Sequence, residues 1–159
     1  MRASTHPQAL RVSAALGPSF TVVEFDESTH TAQEAADAIG CQLAQIAKSI
    51  LFRSASGRPV LVIASGTNRV DEKKVKALLG EKIERASPEF VTEMTGFEVG
   101  GVPPLGHASP CVVFLDEDLR AYPTLWAAGG TPNAVFEIGF NELAERSGAV
   151  VADVKKPTT

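Results

Sequence analysis

The chain has 159 residues, a formal net charge of −4 at pH 7 and two cysteines. This length is typical of one domain, and no interior run rich in Ser, Gly, Pro or charge is long enough to be a linker, so we expect a single domain over residues 1–159. No apolar run approaches a membrane span or the core of a signal peptide, which predicts a cytoplasmic protein with no membrane partner. The acidic balance disfavours proteins that grip long nucleic acids, although it is compatible with contact at one end.

The first half of the chain predicts helices that alternate with strands. Pro7 is typical of a helix start, and Thr31 with Glu34 has the spacing of a capping box before an alanine-rich segment. The dipeptide Ser56-Gly57 separates two apolar segments and favours a hairpin. In chain order, the predicted elements are a helix over residues 7–16, a strand over 20–25, a helix over 31–40, and a β-hairpin over 45–54 and 58–64.

The second half contains further helix starts and short apolar strands. Asp71 opens a helix, Ser87-Pro88 opens another, and Asn141 is placed to cap a third. In chain order, the predicted elements are helices over residues 71–79 and 88–96, strands over 111–115, 125–127 and 134–138, and a helix over 141–146, after which residues 155–159 are expected to fray. These elements lack the regular alternation of a doubly wound parallel sheet. We therefore expect an α+β fold in which short helices surround a mixed, strongly curved, barrel-like sheet.

Motifs for the common catalytic chemistries are missing from the sequence. It has no GxSxG elbow, Walker loop, HExxH helix or GxGxxG turn, and no cluster of His, Cys and carboxylates at metal-ligand spacing, so we expect neither a metal nor a cofactor. Cys41 and Cys111 stand singly in apolar surroundings and are expected to be buried structural thiols. His6 and His30 lie in polar segments and are expected at the surface.

Lys48 is unusual because it interrupts an apolar segment, residues 46–52. A lysine among apolar residues is rarely buried without a partner. Two interpretations follow: an alternating strand that points Lys48 to water, or a fixed cation at the mouth of a pocket, suited to a phosphate or to charge that develops during a reaction. The residues alone leave both open.

A loop rich in glycine and proline covers residues 100–107, with the sequence Gly-Gly-Val-Pro-Pro-Leu-Gly-His. Gly100 and Gly101 permit close backbone approach to a ligand, while the two prolines stiffen the loop, so that little ordering is needed on binding. A plain turn is the alternative. Among the histidines, His107 is the one that this loop can present to a ligand.

Three basic residues gather at the helix predicted over residues 71–79. Arg69 comes just before this helix, and Lys73 and Lys76 share one of its faces, which makes a local basic strip on an acidic protein. A solvated helix with its own ion pairs is the alternative to a binding surface.

Taken together, the segment around Lys48, the loop over residues 100–107 and the basic strip resemble the YbaK/ProX family. That family is similar to the editing insertion of bacterial prolyl-tRNA synthetases. The matching pieces are residues 38–40, 46–52, 60–64, 69–74 and 100–106, within a span from Thr31 to Leu143. The resemblance implies an α+β fold with a curved mixed sheet. It also implies a free-standing enzyme that hydrolyses the ester joining an amino acid to the CCA end of tRNA without a metal, with an aminoacyl-tRNA synthetase as a second candidate partner.

The resemblance also assigns roles to residues. The family's invariant lysine falls on Lys48, which would hold the terminal tRNA phosphate or adenosine, and loop residues 100–106 would fix the aminoacyl carbonyl and a water through backbone N–H groups. Lys48 and Gly101 are therefore the expected catalytic residues. Since the shared signature lies on the glycines and a proline, His107 is expected to stabilise the loop by a hydrogen bond rather than to act as a general base. The expected substrate-binding residues are Ser49, Gly100, Val102, Pro103, Gly106, His107, Thr131 and Asn133, and the expected tRNA-binding residues are Arg69, Lys73 and Lys76.

Residues 127–133 depart from the pattern of some relatives. Thr131 and Asn133 offer hydrogen bonds to a small polar side chain or an amino group, so the amino acid removed is open among alanine, serine, threonine, cysteine and similar residues, with tRNA-Pro or a related tRNA as the carrier. Two other functions stay open: a non-catalytic module that binds the tRNA end or a synthetase, and an enzyme for a small acyl ester unrelated to tRNA.

Overall fold

The computed structural model describes residues 2–29 and 31–157, and within them the chain forms five α-helices and nine β-strands. The helices are α1 (Pro7–Leu16), α2 (Ala32–Ile39), α3 (Glu72–Leu79), α4 (Pro88–Thr95) and α5 (Phe140–Ser147). The strands are β1 (Arg2–Ala3), β2 (Val23–Glu24), β3 (Ile46–Ser54), β4 (Pro59–Ser65), β5 (Ile83–Arg85), β6 (Val112–Asp116), β7 (Leu125–Ala128), β8 (Ala134–Ile138) and β9 (Val150–Ala152).

The described strands form one mixed sheet in the order β1-β2-β8-β7-β3-β4-β6-β9, and β5 pairs with β3 outside that path. Neighbours are antiparallel except in the pairs of β3 with β7, β4 with β6 and β6 with β9, which are parallel. The α+β fold and the mixed sheet predicted from the sequence are confirmed. The strand order has two ends, β1 and β9, so the sheet is open rather than closed into a barrel.

The hairpin of β3 and β4 lies at the centre of this sheet. Seven residue pairs join the two strands, and all of β4 is buried. Because side chains alternate between the two faces of a strand, Leu61 belongs to a core cluster with residues of α1, α4 and α5, whereas Val62 belongs to a second cluster with Val75 of α3. Helices therefore cover both faces of the central strands.

Side-chain caps explain where the predicted helices begin. Thr31 Oγ1 accepts the backbone N–H of Glu34 at the start of α2, the Asp71 carboxylate accepts two N–H groups in the first turn of α3, and Ser87 caps α4 in the same way. At its other end α2 stops at Gly40, whose φ of 82° is a left-handed value that glycine adopts without strain.

Two boundary predictions are wrong. The strand predicted over residues 20–25 is reduced to β2, because only its two residues pair with β1 and β8. Asn141 does not cap the last helix, since α5 begins after Gly139 with no side-chain hydrogen bond at its cap. The short strands β1, β5 and β9 were not predicted at all, because segments of two or three residues carry too little pattern to stand out.

The polar and sulfur side chains follow the sequence predictions in part. His6 is exposed, as expected, and its Nδ1 accepts the N–H of Gln8 at the start of α1; His30 lies outside the described residues. Cys41 and Cys111 are half-buried rather than buried. Burial raises the pKa of both thiols, to about 11 for Cys111, which fits inert structural cysteines.

The C-terminal segment is tied to the start of α3. The N–H of Lys156 donates to the Arg69 carbonyl at 2.8 Å, and Lys155 forms an isolated bridge with Val70. The predicted fraying of the C-terminus is therefore wrong for Lys155 and Lys156, while residues 158–159 lie outside the described residues.

Candidate active site

One edge of β3 is covered by neighbouring strands only at its two ends. β7 pairs with Ile46 and Ala47, and β5 pairs with residues 52–54. The Leu51 carbonyl accepts the N–H of Ala86, which follows β5, at 3.2 Å. Within the described chain, no strand pairs with residues 48–50 on this side, and a cavity of about 260 Å³ opens beside them. We refer to residues 48–50 on this side of β3 as the open edge.

The cavity beside the open edge is small and mostly apolar. Its walls come from β3, from the segment that leads into α2, from the loop that follows α4, and from β7 and β8. The lining residues are Thr29, Thr31, Ala32, Ala35, Ile46, Ala47, Lys48, Ser49, Ile50, Val99, Gly100, Val102, Trp126, Ala127, Ala128 and Val135. Its volume is below the range of about 300–1,000 Å³ that is usual for drug-sized ligands, so the space suits a small group.

Lys48 lies half-buried in the wall of this cavity. Its Nζ is 3.5 Å from the Gly66 carbonyl oxygen, a long contact, and no other hydrogen bond or ion pair of this ammonium is found among residues 2–29 and 31–157. Burial is the main cause that lowers the pKa of Lys48, and the charge of Arg69 lowers it further. Asp116 opposes them by raising this pKa, and Arg85 lowers it. Lys48 therefore lies in a cavity wall, as its interpretation as a pocket residue requires, and its remaining N–H donors are available to a ligand.

Ser49 brings unpaired polar groups to the open edge. Its Oγ is buried and has no hydrogen-bond partner in the described part of the chain. Its backbone also faces this side: Ile46 and Ser54 hydrogen-bond through their peptide groups on the β4 side, and peptide groups alternate in direction along a strand, so the N–H and C=O of Ser49 point away from β4. Because buried polar groups are normally paired, these groups are placed to bind a ligand.

The sequence around this cavity matches a known family. The model of the aminoacyl-tRNA editing domain matches residues 26–145, a span that contains every wall of the cavity. The chain belongs to the aminoacyl-tRNA editing domain family. The resemblance to the YbaK/ProX family and to the editing insertion of prolyl-tRNA synthetases is thereby confirmed.

The editing domain has relatives of two kinds. The uncharacterized protein YwhH of Bacillus subtilis (strain 168) is 40% identical over 126 residues, which cover 79% of this chain and 80% of that protein. The proline--tRNA ligase of Bacillus licheniformis is 41% identical over 95 residues, which cover 59% of this chain and only 16% of the ligase. The crystal structure of a proposed trans-editing enzyme for prolyl tRNA synthetase matches with a TM-score of 0.91 and 47% identity, covering 97% of this chain and 100% of the other.

The loop after α4 of the editing domain contributes Gly100 and Val102 to the cavity wall. Gly101 lies behind them. Its N–H donates to the Glu98 carbonyl at 3.0 Å, and a Cβ at this position would approach the backbone of Thr131 to 3.0 Å. Glycine is therefore required here for the close packing of two loops, and its N–H is already used within the protein.

Pro103, Gly106 and His107 of this loop do not line the cavity. His107 Nε2 lies 2.7 Å from the Pro103 carbonyl oxygen, so the loop-stabilising hydrogen bond expected of His107 is present. Burial lowers the pKa of His107 more than the Pro103 carbonyl raises it, which favours a neutral ring that donates through Nε2. Gly106 is exposed, has a φ of 79° and lies against Ala15, away from the cavity.

Thr131 and Asn133 also lie outside the cavity wall. The Thr131 hydroxyl donates to Asn133 Oδ1 at 3.1 Å, and Asn133 Nδ2 donates to the Phe25 carbonyl at 2.7 Å. These hydrogen bonds hold the turn between β7 and β8 against the segment before α2. The geometry thus gives both residues a structural role, and it does not support the contact with an amino acid that the sequence predicted for them.

The basic strip of the editing domain is exposed, and its first member, Arg69, acts on the charge of Lys48. Arg69, Lys73 and Lys76 are all exposed, and no ion pair of these three is found within the described residues. Lys74, by contrast, pairs with Asp153 at 2.8 Å. The alternative of a helix neutralised by its own ion pairs therefore applies to Lys74 and leaves the predicted strip available for a partner.

Sequence reasoning missed several residues of the site. Trp126 and the buried Thr29 line the cavity. A second cavity of about 90 Å³ continues along the open edge, shares Ser49 and Gly100 with the first, and reaches Arg85 of β5. These residues stand in no recognisable motif; the one available signal was that Trp126 is the single tryptophan of the chain.

In the described part of the chain, His, Cys, Asp and Glu side chains do not gather in groups of three or more that would hold a metal ion. None of the helices within residues 2–29 and 31–157 has the length and apolar character needed to cross a bilayer.

Proposed function

We propose that this chain is a free-standing deacylase that hydrolyses the ester between a small amino acid and the 3′ end of mischarged tRNA, with tRNA-Pro or a related tRNA as the carrier. The observation that carries the proposal is the open edge: an editing domain has a small apolar cavity there, flanked by the half-buried cation of Lys48 and the unpaired groups of Ser49. The similarity to part of a proline--tRNA ligase supports the choice of tRNA.

The reaction needs little from the protein beyond positioning. Water adds to the ester carbonyl, the bond from the carbonyl carbon to the ribose oxygen breaks, that oxygen takes a proton, and the amino acid leaves with a carboxyl group. An aminoacyl ester is already activated, and the neighbouring ribose hydroxyl assists, so orientation and polarisation of the carbonyl supply a large part of the rate. The proposed mechanism uses neither a metal nor a cofactor.

Lys48 and Ser49 are proposed to make different polar contacts with the substrate at the open edge. Lys48 would bind the terminal tRNA phosphate or stabilise the negative charge that develops on the carbonyl oxygen. The Oγ and the backbone N–H and C=O of Ser49 would bind the aminoacyl carbonyl or the α-amino group, since no other group pairs with this hydroxyl in the described chain. Gly100 and Val102 would complete the wall, while Gly101, Pro103 and His107 act indirectly by holding the loop.

The alanine-rich wall sets the size of the amino acid. Ala35, Ala127 and Ala128 line a cavity of only about 260 Å³, so each additional methylene on the substrate would press against its wall. Because one methylene in such a pocket is worth about 1–3 kcal/mol, the proposal favours alanine, serine, threonine or cysteine over larger amino acids.

The rest of the tRNA would meet the basic strip. Arg69, Lys73 and Lys76 are proposed to contact phosphates near the acceptor end, which explains how an acidic protein can bind one end of a nucleic acid. A synthetase would act as the partner that supplies mischarged tRNA, and the reaction would take place in the cytoplasm, where tRNA is charged.

A deacylation matrix tests the proposed function. Purified protein at low concentration is mixed with tRNA-Pro and other tRNAs charged with amino acids of increasing size, and with free aminoacyl esters that lack the tRNA adenosine. Catalytic release of small amino acids from tRNA, but not from the free esters, is expected. Binding of charged tRNA without release would instead establish a non-catalytic module, and equal activity on free esters would establish an esterase unrelated to tRNA.

A further inference from the structure

Asp116 is a fully buried carboxylate close to the proposed site. It is the last residue of β6 and has 0% of its surface exposed. Its Oδ2 accepts the N–H of Ser65 at 3.0 Å and the side-chain N–H of Asn68 at 2.8 Å, while Oδ1 accepts the N–H of Asp118 at 3.0 Å. All three partners are donors, so Asp116 acts purely as an acceptor, as an ionised carboxylate does.

These hydrogen bonds hold the turn formed by residues 65–68. The turn is closed by the N–H of Asn68, which donates to the Ser65 carbonyl at 2.9 Å. Gly66 within it donates its N–H to the Ile46 carbonyl at 2.8 Å, and a Cβ on Gly66 would overlap the Leu43 carbonyl oxygen. The turn is therefore held at two places: by its hydrogen bonds to Asp116 and by its hydrogen bond to the first residue of β3.

The same turn carries the group that contacts the Lys48 ammonium. The carbonyl of Gly66 is the contact of Lys48 Nζ, and Arg69 follows the turn directly. The charged groups that act on Lys48 are Arg69, Arg85 from β5 and Asp116 from β6, and of these only Asp116 favours the charged ammonium. A buried charge is costly unless it is compensated, and Asp116 has no ion pair of its own within the described residues.

We propose that Asp116 is a positioning residue for Lys48: its hydrogen bonds to Ser65 and Asn68 fix the turn whose Gly66 carbonyl contacts the ammonium, and they hold a buried carboxylate against that turn. The role in catalysis rests on the proposed deacylase function. The effect on the charge of Lys48 does not, because it follows from the arrangement of the folded protein alone.

Two variants separate the two parts of this role. Asp116→Asn removes the charge and keeps a side chain of the same shape, whereas Asn68→Ala keeps the charge and removes one tie between the turn and the carboxylate. Asp118→Asn is the matched control: Asp118 also accepts from Asn68, at 3.0 Å, but it pairs with Lys155 and is not among the charges that act on Lys48. Cooperative thermal unfolding of each variant shows that it is folded.

The first readout is the pKa of Lys48, followed by NMR titration of ¹³C-labelled lysine side chains, with the resonance assigned from its loss in Lys48→Ala. Asp116→Asn should lower this pKa, whereas Asp118→Asn and Asn68→Ala should leave it near the wild-type value. An unchanged pKa in folded Asp116→Asn, or an equal shift in Asp118→Asn, would overturn the electrostatic part of the proposal. This titration needs no activity, so it is decisive even if the protein deacylates nothing.

The second readout is the pH profile of kcat/KM for deacylation, corrected for enzyme-free hydrolysis. Lys48 acts as a cation, so activity is lost as the pH rises through its pKa; the alkaline limb of Asp116→Asn should therefore move to lower pH. Asn68→Ala should lower kcat/KM about tenfold at every pH without moving the limb, since it displaces Lys48 without changing its charge. Wild-type activity in Asn68→Ala would refute the positioning part, and this variant decides it even if Asp116→Asn fails to fold.

Discussion

Strand β3 has two edges that differ in what covers them. Along one edge, β4 pairs with seven consecutive residues, and every residue of β4 is buried. Along the other, β7 and β5 cover only the ends, and the interval between them carries the cavity, Lys48 and the unpaired hydroxyl of Ser49. One strand thus combines a paired edge, which stabilises the fold, with an open edge, at which we propose that the substrate binds. Substitutions on the two sides should therefore have separable effects.

The largest effect is expected from the paired edge. Leu61→Ala in β4 removes a side chain with 0% exposure from the central core and should lower the free energy of unfolding by about 2–5 kcal/mol. Activity per folded molecule should stay close to that of the wild type, because Leu61 does not line the cavity. Denaturant unfolding and kcat/KM at low temperature measure the two quantities. Leu78→Ala, at a position 47% exposed, is the control and should change neither.

Lys48→Ala on the open edge should show the opposite pattern. Its kcat/KM should fall about a hundredfold or more, which corresponds to roughly 2.7 kcal/mol of transition-state binding, while the unfolding free energy should not fall, because a half-buried cation with one long contact is removed. Lys82→Ala, at an exposed position away from the cavity, should retain full activity. A folded Lys48→Ala protein with wild-type rates on all substrates would remove Lys48 from the mechanism.

Filling the cavity should change specificity more than rate. Ala128→Val in β7 adds two methyl groups at the wall in a residue type that strands accept well. Release of the smallest accepted amino acid should drop least, and release of one with an extra methylene should drop about tenfold more, as a difference of about 1.4 kcal/mol requires. The ratio of kcat/KM values for the two substrates measures this. An unchanged ratio would place the amino acid elsewhere.

The smallest effect is expected at the basic strip, outside both edges. Replacing Arg69, Lys73 and Lys76 by alanine should weaken the salt dependence of tRNA binding. The negative slope of log affinity against log salt should become less steep by about 2, with little change in amino-acid preference. Fluorescence anisotropy over a range of salt concentrations gives the slope. The same slope in the triple variant would return the strip to a solvated surface.

The contrast between the two edges also explains what could be predicted from the sequence. The hairpin, the caps at Thr31 and Asp71 and the special position of Lys48 depend on local pattern, and the structure contains each of them. The open edge depends on where β5 and β7 stop along β3, and these strands are distant in the chain. Local pattern carries no information about such a gap.

The loops also show a limit of prediction from sequence, since the partner of a loop residue is not visible in its local pattern. Gly101 was expected to present its N–H to the substrate, but the close approach that requires a glycine there is to the backbone of Thr131. Thr131 and Asn133 have polar groups that could bind a ligand, but they hydrogen-bond to one another and to the Phe25 carbonyl. A glycine or a polar loop residue predicts a close contact or a hydrogen bond, and only the fold determines whether the partner is a ligand or the protein itself.

We propose that the aminoacyl end of tRNA binds along the open edge of β3. The most direct test is an NMR titration of the ¹⁵N-labelled protein with a stable amide analogue of 3′-aminoacyl adenosine that carries alanine. We expect saturable shifts of the Ser49 and Gly100 amides, with weaker binding to Lys48→Ala. Shifts that centre on Thr131 and Asn133, with the Ser49 amide unchanged at saturation, would contradict it.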